Sequence, residues 1–258
     1  MNSEKIIDYI VLWLKEYSVK SNTKGFIIGI SGGVDSAVTS ILASKTGLPV
    51  ICVDMPIHQN QLQINRGQKH INWLKEKHPN VDSDKIDLTN IFDELTSTII
   101  KNKNKNLLAL ANSRARLRMI TLYYIAQDNN YIVVGTGNKV EDFGIGFFTK
   151  YGDGGVDISP IADLLKTEVY ELAKILGVSQ EILEAEPTDG LWENNQTDED
   201  QIGATYEELE WAMNYTETPV NEITDRQKEV LKIYTNFNRK NKHKMTPIPI
   251  CKIPKEFK

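Results

Sequence analysis

The chain has 258 residues, 40 % of them apolar, and its 30 basic and 35 acidic side chains give a net charge of −5. This length suffices for one large domain or two small ones. Its two cysteines are too few for a disulfide framework or a cysteine-rich zinc site. The acidic balance disfavours a general nucleic-acid binder, and no apolar run approaches the ~18 residues of a membrane span. We therefore expect a cytoplasmic globular protein with neither nucleic acid nor membrane as a partner.

The first third of the chain alternates between helical and strand-like patterns. Glu4 and Asp8 interrupt the opening apolar residues, so these predict an amphipathic helix and not a signal peptide. The face of that helix comprises Ile6, Ile7, Ile10, Val11 and Leu14. Short runs rich in β-branched residues predict strands at residues 26–30, 50–53, 85–88 and 131–134.

Helical periodicity fills the intervals between these strands. The second helix has its apolar face at Val34, Ala37, Val38, Ile41 and Leu42. Gly47 and Pro49 follow it, as is usual after a helix, and a long helix is predicted over residues 107–127. The alternation predicts an open parallel sheet in a three-layer α/β/α fold of the Rossmann-like kind. Ligands of such folds bind at the carboxyl ends of the strands.

The chain shows no internal repeat and no Pro/Gly-rich linker, so we expect one domain over residues 1–258. A helical extension is predicted from about residue 203, followed by a basic tail over residues 239–258. The alternating Lys and Asn residues at 101–106 are typical of a solvated linker.

The first predicted strand passes directly into the second helix through a loop that suits anions. The segment consists of Gly29, Ile30, Ser31, Gly32, Gly33, Val34, Asp35 and Ser36. Backbone N–H groups at the start of a helix attract negative charge, glycines permit close approach, and the serines add hydroxyl donors. The loop has neither the Gly-Lys-Ser/Thr ending of a Walker A motif nor the spacing of a dinucleotide fingerprint. A capped helix start with a tight glycine turn is the structural alternative.

Asp35 gives this loop its specific chemistry. An aspartate beside bound phosphates repels them unless a divalent cation lies between, so Asp35 is predicted to be a Mg²⁺ ligand. Residues 31–36 resemble the SGGxDS pyrophosphate loop of the ATP pyrophosphatases, which have an adenine nucleotide alpha-hydrolase type of fold. The resemblance implies that ATP is cleaved to AMP and pyrophosphate while a substrate is adenylated.

A second polar segment follows the fourth predicted strand. Residues 135–142 and 146–157 are dense in glycine, carboxylate and lysine, which is unusual for a simple connection. They resemble the GT...E...GFFTKYGDGG segment of the ammonia-dependent NAD synthetases. Further matches lie at residues 115–119, 157–160, 165–166, 186–191 and 243–244, so the resemblance covers most of residues 24–215 and part of the tail.

The resemblance implies roles for particular residues. The Mg²⁺ ligands would be Asp35 and Glu141, and ATP would be bound by residues 29–36 together with Thr136, Lys166 and Thr188. The deamido-NAD substrate would be bound by Arg116, Lys150, Asp157, His243 and Lys244. Arginine and lysine pair with phosphate or carboxylate, and Lys166 would neutralise charge as pyrophosphate leaves. In isolation, Arg116 also fits a solvated helix face, and His243 and Lys244 a mobile tail.

The sequence departs from the commoner family pattern at two places. Gly137 stands where many members have aspartate, and the stretch from Glu141 to Phe147 is one residue longer than in many. Neither departure changes a proposed metal or phosphate ligand.

The implied reaction is a two-step amide synthesis. The nicotinate carboxylate of deamido-NAD attacks the α-phosphorus of ATP, and ammonia then displaces AMP from the acyl adenylate. We hypothesise that Asp153 orients or deprotonates the incoming ammonium. Glutamine-using relatives add an amidotransferase domain for which 258 residues leave no room, so free ammonia, or ammonia from a separate protein, is expected. The family also implies a homodimer.

Two other functions fit the loop at residues 31–36. One is another ATP pyrophosphatase, either a GMP-synthetase-like amidating subunit or a tRNA-modifying enzyme, although the tRNA thiolases generally need paired cysteines. The other is a non-catalytic ATP-binding sensor, which has no use for a pair of metal-binding carboxylates. Dependence of pyrophosphate release on the added substrate discriminates among these functions.

Overall fold

Short apolar segments pair into a parallel sheet in the computed structural model, which describes residues 1–99, 106–188, 197–215 and 223–258. The strands are β1 (Gly25–Gly29), β2 (Val50–Asp54), β3 (Val81–Lys85) and β4 (Tyr131–Val133). Their order across the sheet is β3-β2-β1-β4, and every pair is parallel. The carboxyl ends of the strands therefore share one edge.

Helices separate the strands and follow the last of them. In the first half these are α1 (Ser3–Lys20), α2 (Val34–Ser44), α3 (Gln61–Lys77), α4 (Thr89–Ile99) and α5 (Leu107–Asn129). After β4 come a π-helix (Val140–Ile145), α6 (Lys166–Ile175), α7 (Gln180–Leu183), α8 (Asp198–Ile202), α9 (Tyr206–Met213), α10 (Asp225–Met245) and a 3₁₀ turn (Lys255–Phe257). No described helix combines the length and apolar character needed to cross a membrane.

The two faces of the sheet bury alternate side chains, as the two-residue period of a strand requires. On β1, Phe26 and Ile28 pack with α1, α2 and α6, whereas Ile27 packs on the other face with Met119 and Leu122 of α5. All three β1 side chains are fully buried. The predicted three-layer α/β/α fold is confirmed.

A third apolar cluster lies beyond the sheet. The π-helix contributes Val140 and Ile145, which are buried against Tyr206 and Leu209 of α9 and Val230 of α10. The C-terminal helices are thereby joined to the segment that follows β4.

Three of the four predicted strands are present, with ends that differ by one residue at most. The prediction at residues 85–88 is wrong, because the strand is β3 and ends at Lys85. β3 is a polar edge strand, of which only Val81 is buried, so it carries no run of apolar residues. The apolar Ile86 and Leu88 come after it and pack into the core on the α5 side of the sheet.

The C-terminal region is more ordered than its composition indicated. The predicted extension from about residue 203 begins earlier, with α8. The expected tail starts inside α10, which continues to Met245 and ends with three basic residues that suit the negative end of a helix dipole. Residues 101–105 of the expected linker lie outside the described residues.

Candidate active site

The loop after β1 forms the amino-terminal entrance of α2. Gly32 has a φ of +80°, which favours glycine, and Gly33 is the last residue before the helix. The hydroxyls of Ser31 and Ser36 are hydrogen-bonded at 3.1 Å, and the Gly33 N–H donates to the Ser31 hydroxyl at 3.2 Å. These contacts cross-link the loop. Val34, Asp35 and Ser36 form the first turn of α2, at the carboxyl edge of the sheet.

Three charged side chains from distant parts of the sequence meet beside this loop. Nζ of Lys166 lies 2.6 Å from Oδ2 of Asp35 and 3.0 Å from Oε1 of Glu141. The lysine side chain is only 4 % exposed and each carboxylate is 17 % exposed. Asp35 comes from the start of α2, Glu141 from the π-helix and Lys166 from the start of α6. The structure thus brings together the residues assigned to metal and to phosphate.

Asn138 connects the Asp35 carboxylate to the start of the π-helix that carries Glu141. It was not predicted as a site residue. Its side-chain amide donates to Oδ1 of Asp35 at 3.2 Å. Its carbonyl oxygen accepts from the backbone N–H groups of Val140 and Glu141, each at 3.1 Å. Because Asn138 is fully buried, this one side chain fixes both the Asp35 carboxylate and the start of the π-helix.

Two residues of α9 also reach this group, and neither was predicted. The Tyr206 hydroxyl donates to Oε1 of Glu141 at 2.6 Å, and its ring lies 4.7 Å from Nζ of Lys166. Glu210 accepts hydrogen bonds from the backbone N–H and the hydroxyl of Thr167, at 2.9 and 2.7 Å. No motif in the sequence signals these contacts, because they depend on how α9 packs.

Burial and charge oppose each other within the group. Burial raises the pKa of Asp35, an effect that the ammonium of Lys166 opposes. Burial acts in the same direction on Glu141, but Lys166 and the Tyr206 hydroxyl outweigh it and lower the pKa of that carboxyl. Desolvation would lower the pKa of Lys166, yet its two carboxylate partners raise it, so the lysine stays charged. Burial and the neighbouring Glu141 raise the pKa of Tyr206, which keeps its proton to donate.

The two departures from the family pattern occur next to each other. The stretch expected to be one residue longer, 141–147, contains most of the π-helix, whose turn holds more residues than an α-helical turn. Its second acidic residue, Asp142, places its carboxylate against Gly137, where an added Cβ would overlap it. A side chain at position 137 would therefore require the Asp142 carboxylate to move. Burial and the charges of Glu141 and Asp153 raise the pKa of Asp142 well above its usual range.

Most of the residues assigned to deamido-NAD form one basic group at the end of α10. Nε of Arg116 donates to the carbonyl of Lys150 at 3.2 Å, and Nζ of Lys150 donates to the carbonyl of His243 at 3.3 Å. Lys244 donates to the carbonyl of Phe148 at 2.6 Å. Desolvation lowers the pKa of Lys244, against the nearby Asp153 carboxylate. The structure thus brings Arg116, Lys150, His243 and Lys244 together.

Asp157 and Asp153 differ in their surroundings. Oδ1 of Asp157 accepts from the Tyr123 hydroxyl and Oδ2 from the Val133 N–H, each at 2.9 Å, so both oxygens already have protein partners. Asp153 keeps access to solvent at its turn, where Oδ1 accepts from the Thr149 N–H at 3.0 Å. Desolvation by the surrounding protein raises the pKa of Asp153 to about 6.

The two predicted ATP-binding threonines lie at the edges of this site. Thr136 is half-buried and follows β4 at the carboxyl edge of the sheet. Thr188 is half-buried as well, and it is the last residue before a stretch outside the described residues. Residues 189–191 of the predicted motif fall in that stretch.

The residues present fit a magnesium ion. Mg²⁺ prefers oxygen ligands and usually takes one or two carboxylates, with water and substrate phosphates completing its coordination. Asp35 and Glu141 supply two such carboxylates beside a loop suited to phosphate. Within the described part of the chain no group of three or more His, Cys, Asp and Glu residues could hold a metal ion. Together these features are those of a nucleotide-binding α/β enzyme.

Comparison with known proteins specifies the family. Residues 6–248 match the family model described as NAD synthase. An ammonia-dependent NAD synthetase of Finegoldia magna is 41 % identical over 229 residues, covering 88 % of this chain and 91 % of that protein. An NMN synthetase from Francisella tularensis has a TM-score of 0.86 at 32 % identity, and an ammonia-dependent NAD synthetase from Campylobacter jejuni one of 0.78 at 25 %. Each of these two structures matches 98 % of this chain over 100 % of its own.

The chain belongs to the NAD synthase family. It is a ligase of the ammonia-dependent NAD synthetase type, with ATP as co-substrate and small molecules as substrates. The resemblance that residues 31–36 and 146–157 indicated is confirmed.

Gly32→Ala tests whether the loop conformation is needed for ATP. An added Cβ would lie 2.7 Å from the Gln63 carbonyl oxygen and 3.1 Å from the Gly67 nitrogen, at a positive φ that disfavours alanine. Because both contacts are with backbone, the loop must shift, and we expect ATP affinity measured by calorimetry to fall about tenfold or more.

Gly47→Ala is the matched control, since Gly47 has a φ of +75° but an added Cβ there meets no atom within 4 Å. We expect this variant to lose a little thermal stability and to bind ATP normally. Normal ATP binding by Gly32→Ala would contradict the assignment of the loop.

Proposed function

We propose that this chain catalyses the ATP-dependent amidation of deamido-NAD to NAD with ammonia, through an acyl-adenylate intermediate. The observation that carries the proposal is the meeting of Asp35, Glu141 and Lys166 beside the loop at the start of α2. We assign the activation of the α-phosphate of ATP to this place, and membership of the NAD synthase family supports that assignment.

In the first step a carboxylate oxygen of the nicotinate group attacks the α-phosphorus. The bond from that phosphorus to the bridging oxygen breaks, and pyrophosphate leaves with the electron pair. No protein nucleophile is needed, so the chain acts by positioning and by neutralising charge. Backbone N–H groups of the loop would hold the polyphosphate, and Lys166 would stabilise its growing charge. Mg²⁺ on Asp35 and Glu141 would supply further neutralisation when bound.

In the second step the nitrogen of ammonia attacks the acyl carbon and AMP leaves with the electron pair of the broken C–O bond. Ammonium must first lose a proton, and the amide product must lose another. We assign the acceptance of one of these protons to Asp153, whose solvent access and raised pKa suit a base that works near neutrality.

The basic group at the end of α10 would receive the anionic substrate. Arg116 and Lys150 each use one donor on a backbone carbonyl, which leaves their other donors for phosphate or carboxylate oxygens. His243 and Lys244 would extend the same surface. Asp157 is the weakest member of the proposed set, because both its oxygens are already engaged.

We further propose a cytoplasmic homodimer. The free thiols of Cys52 and Cys251 suit a reducing compartment. Large apolar side chains are exposed on two adjacent helices, which is the kind of surface that pairs with a second copy. They are Ile91, Leu95 and Ile99 on α4, and Leu107, Leu108, Ile120 and Tyr124 on α5.

A second candidate substrate is nicotinic acid mononucleotide. The NMN synthetase from Francisella tularensis has a higher TM-score and identity than the NAD synthetase from Campylobacter jejuni. The chemistry at the nicotinate carboxylate is the same for both substrates, so the residues around Lys166 serve either one. The two candidates differ only in whether an adenylate half is bound.

Pyrophosphate release from ATP in the presence of Mg²⁺ and ammonia distinguishes the functions. We expect release to depend on added deamido-NAD and the product to be NAD. Preference for nicotinic acid mononucleotide would favour the second candidate, and dependence on xanthylate would indicate a GMP-synthetase-like enzyme. No release with any of these acceptors would contradict the proposal and favour an ATP sensor.

Asp153→Asn tests the base. Ionised Asp153 is required to accept a proton, so ammonia-dependent turnover should fall by up to about tenfold per pH unit below pH 6, beyond the loss due to protonation of ammonia itself. The variant should lack this additional acid limb and turn over at least tenfold more slowly at neutral pH, with substrate-dependent ATP–pyrophosphate exchange unchanged.

Asp163→Asn serves as the control, since Asp163 is fully exposed and pairs with Lys139. Unchanged ammonia-dependent turnover and an unchanged pH profile in Asp153→Asn would remove Asp153 from the second step.

A further inference from the structure

Helix α9 touches the site at two points that lie one helical turn apart. Tyr206 and Glu210 are separated by four residues and therefore share one face of the helix. Both are buried, with 4 % and 8 % of their surface exposed. The face that carries them is turned toward the π-helix and α6.

The contact of Tyr206 selects one oxygen of Glu141. The tyrosine hydroxyl and Nζ of Lys166 both bond to Oε1, at 2.6 and 3.0 Å. Neither of these donors bonds to Oε2, which leaves that oxygen for a metal ion. Without the hydroxyl, Oε1 of Glu141 would lose the shorter of these two hydrogen bonds and keep the one from Lys166.

The contact of Glu210 sets the position of Lys166. Its two carboxylate oxygens accept from the N–H and the hydroxyl of Thr167, which is the second residue of α6. A carboxylate at the amino-terminal end of a helix also interacts favourably with the helix dipole. Since Lys166 is the first residue of α6, Glu210 anchors the backbone from which the lysine side chain extends.

We propose that Tyr206 and Glu210 are positioning residues for ATP activation, Tyr206 by orienting Glu141 toward the metal and Glu210 by anchoring the start of α6 beneath Lys166. This inference rests on the proposed function. Groups that orient the ligands of a metal typically change its affinity by about ten- to a hundredfold when removed. If Tyr206 served only in packing, an apolar group would contact Glu141, whereas the structure has a hydroxyl donating to it.

Tyr206→Phe removes the hydroxyl and keeps the ring beside Lys166. The matched control is Tyr234→Phe, because Tyr234 packs on the same C-terminal core cluster and donates no hydrogen bond within the described part of the chain. Binding of Mn²⁺ together with a non-hydrolysable ATP analogue is measured by electron paramagnetic resonance. We expect Tyr206→Phe to weaken Mn²⁺ binding about tenfold and to raise the half-saturating Mg²⁺ concentration for pyrophosphate release equally. Tyr234→Phe should match the unmodified chain.

Glu210→Gln weakens the anchor of α6, and Glu207→Gln is its control, since Glu207 is an exposed residue of the same helix. We expect Glu210→Gln to lower kcat for pyrophosphate release about tenfold or more, with a smaller change in KM for ATP, because Lys166 acts mainly on the charge that develops as pyrophosphate leaves. Glu207→Gln should leave both parameters unchanged.

Thermal unfolding separates positioning from folding, because a structural role would lower the melting temperature without changing the Mn²⁺ affinity of the folded fraction. Tyr206→Phe should also have no effect on Mn²⁺ binding once Glu141 is Gln, since it acts through that residue. Unchanged Mn²⁺ affinity in Tyr206→Phe, or an equal effect in the Glu141→Gln background, overturns the proposal for Tyr206. An unchanged kcat in Glu210→Gln overturns it for Glu210. Failure of the proposed function is distinct, because the unmodified chain would then release no pyrophosphate while Mn²⁺ binding still reports on Tyr206.

Discussion

The buried ammonium of Lys166 between the carboxylates of Asp35 and Glu141 is the interaction on which the site depends. A lysine with 4 % of its side chain exposed is tolerable only when paired, because removing a charge from water costs several kcal/mol. Each partner comes from a different element, so the pairing fixes the starts of α2 and α6 and the π-helix relative to one another. Asn138 donates to the second oxygen of Asp35, and Tyr206 adds a second donor to Oε1 of Glu141, which stabilises such a buried network.

The charged residues of the candidate site form two groups of opposite sign. Two carboxylates against one ammonium leave this group with an excess of negative charge, which attracts a divalent cation more than it attracts ATP alone. The basic group with Arg116, Lys150 and Lys244 lies at the end of α10. Net charge is therefore a poor guide here, since −5 for the whole chain conceals two local regions of opposite sign.

The sequence predicted those parts of the site that lie in one short segment. It did not predict contacts that depend on how distant helices pack together. Residues 31–36 combine glycines, serines and an aspartate in one short turn, a pattern that predicts anion binding without a structure. The polar strand β3 was misplaced because backbone pairing with β2, not side-chain burial, makes it a strand. Tyr206 carries no local signal of its role, since only the packing of α9 brings its hydroxyl to Glu141, 65 residues earlier.

The C-terminal helices are part of the site and not an appendage to the sheet. Asn238 and Asn241 of α10 donate to backbone carbonyls at the end of the π-helix, at 2.7 and 2.9 Å, while Tyr206 of α9 holds Glu141 within it. A π-helix is rarely stable by itself, so these outside contacts are what maintain it. The sheet alone supplies the loop at the start of α2, which carries Asp35. The second carboxylate is held beside that loop by α9 and α10 together with Asn138 and Lys166.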